Sequence, residues 1–317
     1  MARSAGWILA VGDAILDIVT PPLPPGPEGD RQSRVDSFSF LPGGNATNFA
    51  LAARSLGAET ALVACVGRDW AGDLVVAAIR RAGLRARIRR VAAATGMTTA
   101  LTMTDGTRHL ITAPGANAHL RTSDVPVPWL ARAAHVHRAG FWWATGLMGE
   151  PSWRILRMAR RRGARTSLDI ATDPEGWTDA RRDLVLRVLP EVDVFFGNEV
   201  EVTSAAGVSG LEPAVDRIRS VGVAEVVVHQ GDRGATAFTA TQVLYERAVP
   251  AIARNPTGCG DVFNAAYVVA LERGLPLRER LRFGNAAAAL HIERPRRPYP
   301  SSAAVGRLIR DRTGGRR

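Results

Sequence analysis

Lysine is absent from all 317 residues, so the 41 basic side chains are arginine. That absence excludes chemistry needing an ε-ammonium: a lysine Schiff base, a P-loop ending in Gly-Lys-Ser/Thr and a protein-kinase phosphate lysine. Phosphate chemistry here must use backbone amides, arginine or metal. Cysteine is nearly absent too, with only Cys65 and Cys259, too few for a disulfide framework and suited to a reducing, cytoplasmic compartment. No run approaches the roughly 20 apolar residues of a membrane span, so no membrane partner is expected. Met1 to Gly12 holds Arg3 and a short apolar run without a small-residue cleavage site, and it reads as a first strand.

Acidic residues number 30, which leaves a net charge of +11. Arginines cluster at 80, 81, 85, 87, 89 and 90, with no aromatic among them, and again from Arg294 to Arg317, with Tyr299 alone among them, and others are spread along the whole chain. The excess therefore reads as biased usage on solvated helix faces, with no nucleic-acid partner; a nucleic-acid binder would instead show steeply salt-dependent affinity. Anionic substrates would still be attracted.

With 46% hydrophobic and 22% charged residues the chain is globular in composition. At roughly 150 residues per domain it could hold one large domain or two small ones. No repeat, linker or low-complexity tract divides it, so 1–317 is expected to be a single domain. Trp7 to Val11 is a continuous apolar run followed by Gly-Asp, a strand buried on both faces. Five prolines and two glycines between Thr20 and Asp30 mark an excursion, and Val35 to Phe40 alternates like a short exposed strand. Apolar spacing from Asn45 to Leu56 predicts a helix starting directly after Gly43-Gly44 and ended by Gly57. Further strands are expected at Ala61–Val66, Ala134–His137, Thr166–Ile170, Val192–Phe196 and Glu225–Val228, with a strand pair across Ala235–Val249. Helices are expected at Leu74–Ala82, Ser152–Arg162, Asp179–Val188 and Glu212–Val221, and from near Asp261, Pro276 and Ser301. Thr98–Thr104 and His109–Thr112 read as a hairpin around Asp105-Gly106. Strands alternating with helices imply an α/β fold with a doubly wound, mostly parallel sheet, helices on both faces, and ligands at the strand carboxyl ends. Excursions at about 18–41 and 97–113 are candidate pieces of a small β lid.

The most informative segment is Asn255-Pro-Thr-Gly-Cys-Gly-Asp261, followed by the nearly apolar run Val262 to Leu271. Glycines at 258 and 260 allow a tight turn, and amides of residues 258–261 at a helix N-terminus can cradle an oxyanion or phosphate. Asp261 beside a transferring phosphate could take a proton from an attacking hydroxyl. The same residues could equally be a Gly-rich turn with an aspartate cap.

The accompanying motifs are Gly12-Asp13 with Asp17, Pro42-Gly-Gly-Asn-Ala-Thr-Asn48, Gly67-Arg-Asp69 with Gly72, Asn198-Glu-Val-Glu201 and Gly231-Asp-Arg-Gly234. In this order the chain resembles the ribokinase/PfkB carbohydrate kinase family from about Gly12 to Ala289. The resemblance implies a ribokinase-like fold and an ATP- and Mg2+-dependent sugar kinase. It implies Asp261 as general base, with Gly258, Cys259 and Gly260 as its anion hole; Cys259 stands where the family usually has alanine. It implies sugar contacts at Asp13, Asp17, Gly43, Gly44 and Asn48. Asn198 and Glu201 would organise magnesium through water, Gly231, Asp232 and Gly234 would form the turn over the nucleotide, and Asn285 would lie at the adenine. Three departures stand out: Asn255 replaces the usual aspartate, Glu293-Arg-Pro-Arg-Arg-Pro298 replaces the element behind potassium activation, and only Asp169 remains of an Asp-Pro-Asn-x-Arg segment. Potassium activation is therefore not carried over. A homodimer through the lid is compatible with the resemblance.

Other signals are weaker. His135 and His137 share a strand face without a third ligand and read as packed residues. Trp142 and Trp143 beside Gly140 are expected to cap the core near the substrate mouth. Cys259 reads as a small, buried residue, since no histidine motif makes it a nucleophile. The alternatives to a sugar kinase are a nucleoside kinase of the same family and a catalytically silent sugar- or nucleotide-binding regulator.

Overall fold

A run apolar at every position is stable as a strand only where both sheet faces are covered, and Trp7–Val11 is used in that way. Ile8 and Ala10 enter the core on one face of a large sheet, while Trp7, Leu9 and Val11 enter the core on the other. The computed structural model describes residues 6–24, 32–104, 107–252, 256–293 and 299–314. Its strands are β1 (Trp7–Val11), β2 (Ile15–Val19), β3 (Ser39–Gly43), β4 (Thr60–Gly67), β5 (Arg85–Val91), β6 (Gly96–Thr102), β7 (Arg108–Ala113), β8 (Ala133–Arg138), β9 (Arg165–Asp169), β10 (Val194–Asn198), β11 (Glu225–His229), β12 (Gly234–Phe238) and β13 (Val243–Arg247). The helices are α1 (Asn45–Ser55), α2 (Trp70–Arg81), α3 (Val127–Arg132), α4 (Glu150–Arg160), α5 (Asp179–Leu186), α6 (Glu199–Ala206), α7 (Leu211–Ser220), α8 (Cys259–Glu272), α9 (Leu277–Ile292) and α10 (Ser302–Gly314).

Nine strands form the large sheet in the order β13-β12-β11-β10-β9-β8-β1-β4-β5. Pairs from β5 to β11 are parallel, and β12 and β13 close one edge antiparallel. The chain runs outward from β1 through β4 to β5, then resumes at β8 on the other side of β1. Neighbouring crossovers thus part between β1 and β8, and a crevice opens at their carboxyl ends. Buried residues of α1, α2, α8 and α9 cover one face; those of α3 to α7 cover the other. The small sheet, ordered β3-β2-β6-β7, sets Asp17 opposite Leu41 on one side and Thr98 on the other.

Several boundaries differ from the sequence expectation. The expected Val35–Phe40 strand is β3, shifted to Ser39–Gly43, because pairing with β2 starts only at Ser39 opposite Val19. Helix α2 begins at Trp70, four residues early, since the Asp69 side chain accepts from the Gly72 amide and caps it. Strand β5 replaces part of the arginine cluster expected on a helix face; Ala86 and Ile88 pack inward between arginines that shield this edge of the sheet from further pairing. The Asp105-Gly106 turn, Asn255 and most of the 293–298 segment lie outside the described residues.

Arg138 ends β8 with no exposed surface. Its Nε donates to Ser152 Oγ at 2.9 Å and its guanidinium also donates to the carbonyls of Ala139 and Ala144. Burial pulls its pKa down to about 10, the Asp13 charge opposing this, so it stays cationic at neutral pH and staples the turn that carries Trp143. Arg138→Met should cost roughly 3 kcal/mol by stripping these bonds and leaving Asp13 without its counter-charge. The expected readout is a lower urea midpoint at unchanged m-value; an unchanged midpoint would contradict it.

Candidate active site

Residues from the two sheets and four helices meet in a cleft of about 570 Å³ over the β1/β8 crevice. Of the sequence-predicted residues, Asp13, Asp17, Gly44, Asn48, Asn198, Glu201, Gly231, Gly234, Gly258, Cys259, Gly260, Asp261 and Asn285 line it. Gly43 and Asp232 do not. Gly43 sits behind the wall, where an added Cβ would lie 2.3 Å from an Asp17 carboxylate oxygen, so its smallness makes room for Asp17. Asp232 is exposed on the turn between β11 and β12 and is not among the residues that line the cleft.

Asp13 follows β1 and is turned toward the start of α1. One carboxylate oxygen accepts from the Asn45 amide and the other from the Ala46 amide, each at 3.1 Å. Its carboxylate therefore holds the start of α1, although burial pushes its pKa up. At Gly44 the backbone has φ 96°, and a Cβ there would meet the Asp13 carbonyl at 2.7 Å, so only glycine joins β3 to α1 at this distance.

Helix α8 starts two residues earlier than the sequence suggested. Gly258, at φ 77°, is its N-cap, and Asp261 is in the first turn and not at the cap. The Cys259 amide is already donated to Pro256 O at 3.2 Å, which corrects the expectation that all of 258–261 are open donors. The Gly260 and Asp261 amides belong to the first turn, where helix geometry supplies no i−4 carbonyl.

Two amides hold the Asp261 carboxylate: Asn45 Nδ2 donates to Oδ1 at 3.0 Å and Asn48 Nδ2 to Oδ2 at 2.9 Å. Asn48 was expected at a sugar hydroxyl; the structure gives one of its hydrogens to Asp261 and its oxygen to the Tyr299 hydroxyl at 2.8 Å. Burial first and the neighbouring Asp169 second push Asp261 well above the usual carboxylate range, against the two amides. Asp169, at the end of β9, is itself pushed up to about 7 by burial and by Glu201. Its oxygens accept from the Ala171 amide and from Asn264 Nδ2. Asn264 Oδ1 meets His229 Nε2 at 2.9 Å, so with its amide turned to Asp169 the imidazole carries its proton on Nε2. Burial lowers His229 to about 4, keeping it neutral.

Asn198 and Glu201 form a reciprocal capping box on α6: Asn198 Oδ1 accepts from the Glu201 amide at 2.9 Å, and Glu201 Oε2 from the Asn198 amide at 2.8 Å. Thr172 Oγ1 donates to Glu201 Oε1 at 2.8 Å. Among the described residues no three His, Cys, Asp or Glu side chains gather as a metal cage. One fixed carboxylate at the cleft wall fits a hydrated Mg2+ held chiefly by substrate phosphates. Asn285 donates to the carbonyls of Glu246 and Arg247, both at 3.0 Å, tying α9 to β13 beside Gly234. At Gly234, with φ 121°, a Cβ would strike Glu246 O at 2.2 Å.

Trp143 lines the cleft, as do Ile15 and Leu110, whereas Trp142 is buried, its Nε1 donating to Ala171 O at 3.2 Å. His135 and His137 share Ser167 Oγ, each at 2.7 Å, in the core. Sequence reasoning missed Asn45, Asn264, His229, Thr98, Thr112 and Tyr299. Asn45 could have been found inside the Gly-Gly-Asn motif, and Asn264 three residues beyond Asp261, one helical turn away; the others are single residues without a local pattern.

The geometry has parallels. A ribokinase from Thermotoga maritima superposes with a TM-score of 0.79 at 24% identity, covering 96% of this chain and 99% of the other. An Arabidopsis thaliana ribokinase complexed with ribose and ATP superposes at 0.77 and 22% identity, covering 96% and 99%. By sequence, a nucleoside kinase of Methanothermobacter thermautotrophicus is 29% identical over 290 residues, 90% of this chain and 89% of its own length. Residues 7–302 match the profile of the pfkB family carbohydrate kinases, and with a ribokinase-like fold around this cleft the chain belongs to that family.

Proposed function

We propose that this kinase moves the γ-phosphoryl group of ATP to a hydroxyl of a small sugar or sugar derivative, with Asp261 as general base. The observation that carries the reading is the buried Asp261 carboxylate in the first turn of α8, held by two side-chain amides. The same cleft is lined by Asp17 and Thr98, suited to vicinal hydroxyls, and by Gly231, Gly234 and Asn285, where backbone can approach a nucleotide. Asp17 and the remaining hydrogens of Asn45 and Asn48 orient the acceptor, and Asp261 takes its proton. The Gly258, Gly260 and Asp261 amides stabilise charge on the transferring group. Asp13 acts indirectly by fixing α1. Glu201 and Asn198 would hold Mg2+ through water, and bound Mg2+ supplies charge neutralisation at the phosphates. Support for this cofactor pair comes from an E. coli protein provisionally assigned as Ribokinase II in complex with ATP and Mg2+. The small sheet, contributing Ile15, Asp17, Thr98, Leu110 and Thr112 to the cleft, serves as the lid of a single domain; exposed Phe40 and Ile111 on it would seat a second copy of the chain.

A nucleoside acceptor is the second reading, favoured by the apolar wall of Ile15, Leu110 and Trp143 and the nucleoside kinase relative. Acceptor-dependent ADP release across sugars and nucleosides, with and without potassium, separates the two. Release with neither would leave a silent binding protein and contradict the proposal.

Asp261 accepts a proton only when ionised, so kcat should fall as pH drops through its raised pKa. The acid limb is expected well above the ordinary aspartate value of 3.8, raised by burial first and by Asp169 second, and it reports the interacting Asp169–Asp261 pair and not one group alone. Asp169→Asn removes a neighbouring negative charge and should move that limb to lower pH. A limb that stays in place would remove Asp169 from the account.

A further inference from the structure

We infer that Tyr299 is a positioning residue for phosphoryl transfer: its hydroxyl fixes the side-chain amide of Asn48 in the orientation that donates to Asp261. This rests on the reading of Asp261 as the base. The hydroxyl donates to Asn48 Oδ1 at 2.8 Å, and Asn48 Nδ2 donates to Asp261 Oδ2 at 2.9 Å. A side-chain amide has a donor end and an acceptor end, and either can face a neighbour. Flipped, Asn48 would set its oxygen against the oxygen of an ionised carboxylate. A hydroxyl that donates to Oδ1 disfavours that flip.

Tyr299 is itself held from three elements. Ser55 Oγ on α1 donates to the Tyr299 carbonyl at 2.9 Å; Ser55 is seven residues beyond Asn48, two turns along the same helix face. Ser302, at the start of α10, donates to Leu56 O, so the 299–302 segment lies along α1. The Tyr299 ring stacks on His291 of α9 at 5.6 Å and 14°, and His291 Nε2 meets the carbonyl of Thr257, next to the Gly258 cap. The tyrosine therefore joins α1 to the turn that starts α8.

Other groups facing Asp261 do not change when only the phenol oxygen is removed. They are Asp13 after β1, Asp169 ending β9, and Asn45 on α1; Glu201 of α6 acts on Asp169, His229 of β11 reaches it through Asn264, and Arg138 of β8 acts on Asp13. A change in the pH profile of a Tyr299→Phe enzyme would therefore act through Asn48.

The test is a cycle of Tyr299→Phe, Asn48→Ala and the double variant, read as kcat, KM for ATP and the pH dependence of kcat. Tyr299→Phe should lower kcat roughly tenfold, the worth of one hydrogen bond, leave KM for ATP unchanged and move the acid limb upward. Its thermal midpoint should fall only by the worth of that one hydrogen bond, because the ring, its stack and the backbone anchors stay. In the Asn48→Ala background the same change should alter kcat less than about twofold, since coupled residues are not additive. An equal loss in both backgrounds, or no loss in either, overturns the inference. An active Asp261→Asn enzyme would instead overturn the base assignment on which it stands.

Discussion

Asp261→Asn should lower kcat by two to four orders of magnitude, the usual worth of a positioned general base, while the chain stays folded and KM for ATP changes little. The side chain keeps its size and burial, so no cavity forms. Folding should change little, because relief of a carboxylate whose pKa is raised by burial and by Asp169 offsets the one amide nitrogen that then faces Asn45 or Asn48. The loss should be largest at alkaline pH, where the parent carboxylate is fully ionised, and should shrink as pH falls through the raised pKa. Steady-state ADP release from pH 5 to 9 and a thermal melt check both halves. Turnover within tenfold of the parent would remove Asp261 as the base.

Gly258→Ala is the second large effect. At φ 77° an alanine is strained by about 1 kcal/mol, and its Cβ would lie 2.9 Å from Asn48 Nδ2 and 3.6 Å from Asp261 Oδ2. Asn48 must give way, which disturbs one of the two amides on the base and the cap of α8 together. A displacement of this kind costs on the order of a hundredfold in kcat. Gly274→Ala supplies the control: its φ is 75°, yet nothing lies within 4 Å of the added Cβ. Both variants should lose the stability that the strained φ costs, Gly258→Ala somewhat more because Asn48 is displaced, and only Gly258→Ala should lose turnover. Equal kcat in the two would mean that the close approach to Asn48 is irrelevant to catalysis.

These expectations show which parts of the site are written locally. Trp7–Val11 and the Gly43-Gly44 junction are legible because burial on two faces demands unbroken apolar runs, and a strand-to-helix turn demands glycine. The start of α8 is misread by two residues because glycine is a weaker cap signal than aspartate, and Asp261 nearby invites that role. Strand β5 is hidden because Arg85, Arg87, Arg89 and Arg90 read as charge before Ala86 and Ile88 read as alternation. Tyr299 reaches Asn48 across 251 positions, and His229 reaches Asn264 across 35; such pairs form when the sheet closes, and no spacing rule announces them. The Asn198–Glu201 pair was legible by type, yet its observed bonds are those of a helix cap as well as a cleft wall.

The most direct measurement is a crystal structure with Mg2+, a non-hydrolysable ATP analogue and the acceptor found by the ADP-release screen. The account predicts the γ-phosphoryl oxygens at hydrogen-bond distance from the Gly260 and Asp261 amides, with the Asp261 carboxylate about 3 Å from the acceptor hydroxyl. A γ-phosphoryl group bound away from the first turn of α8, or a carboxylate turned from that hydroxyl, would contradict it.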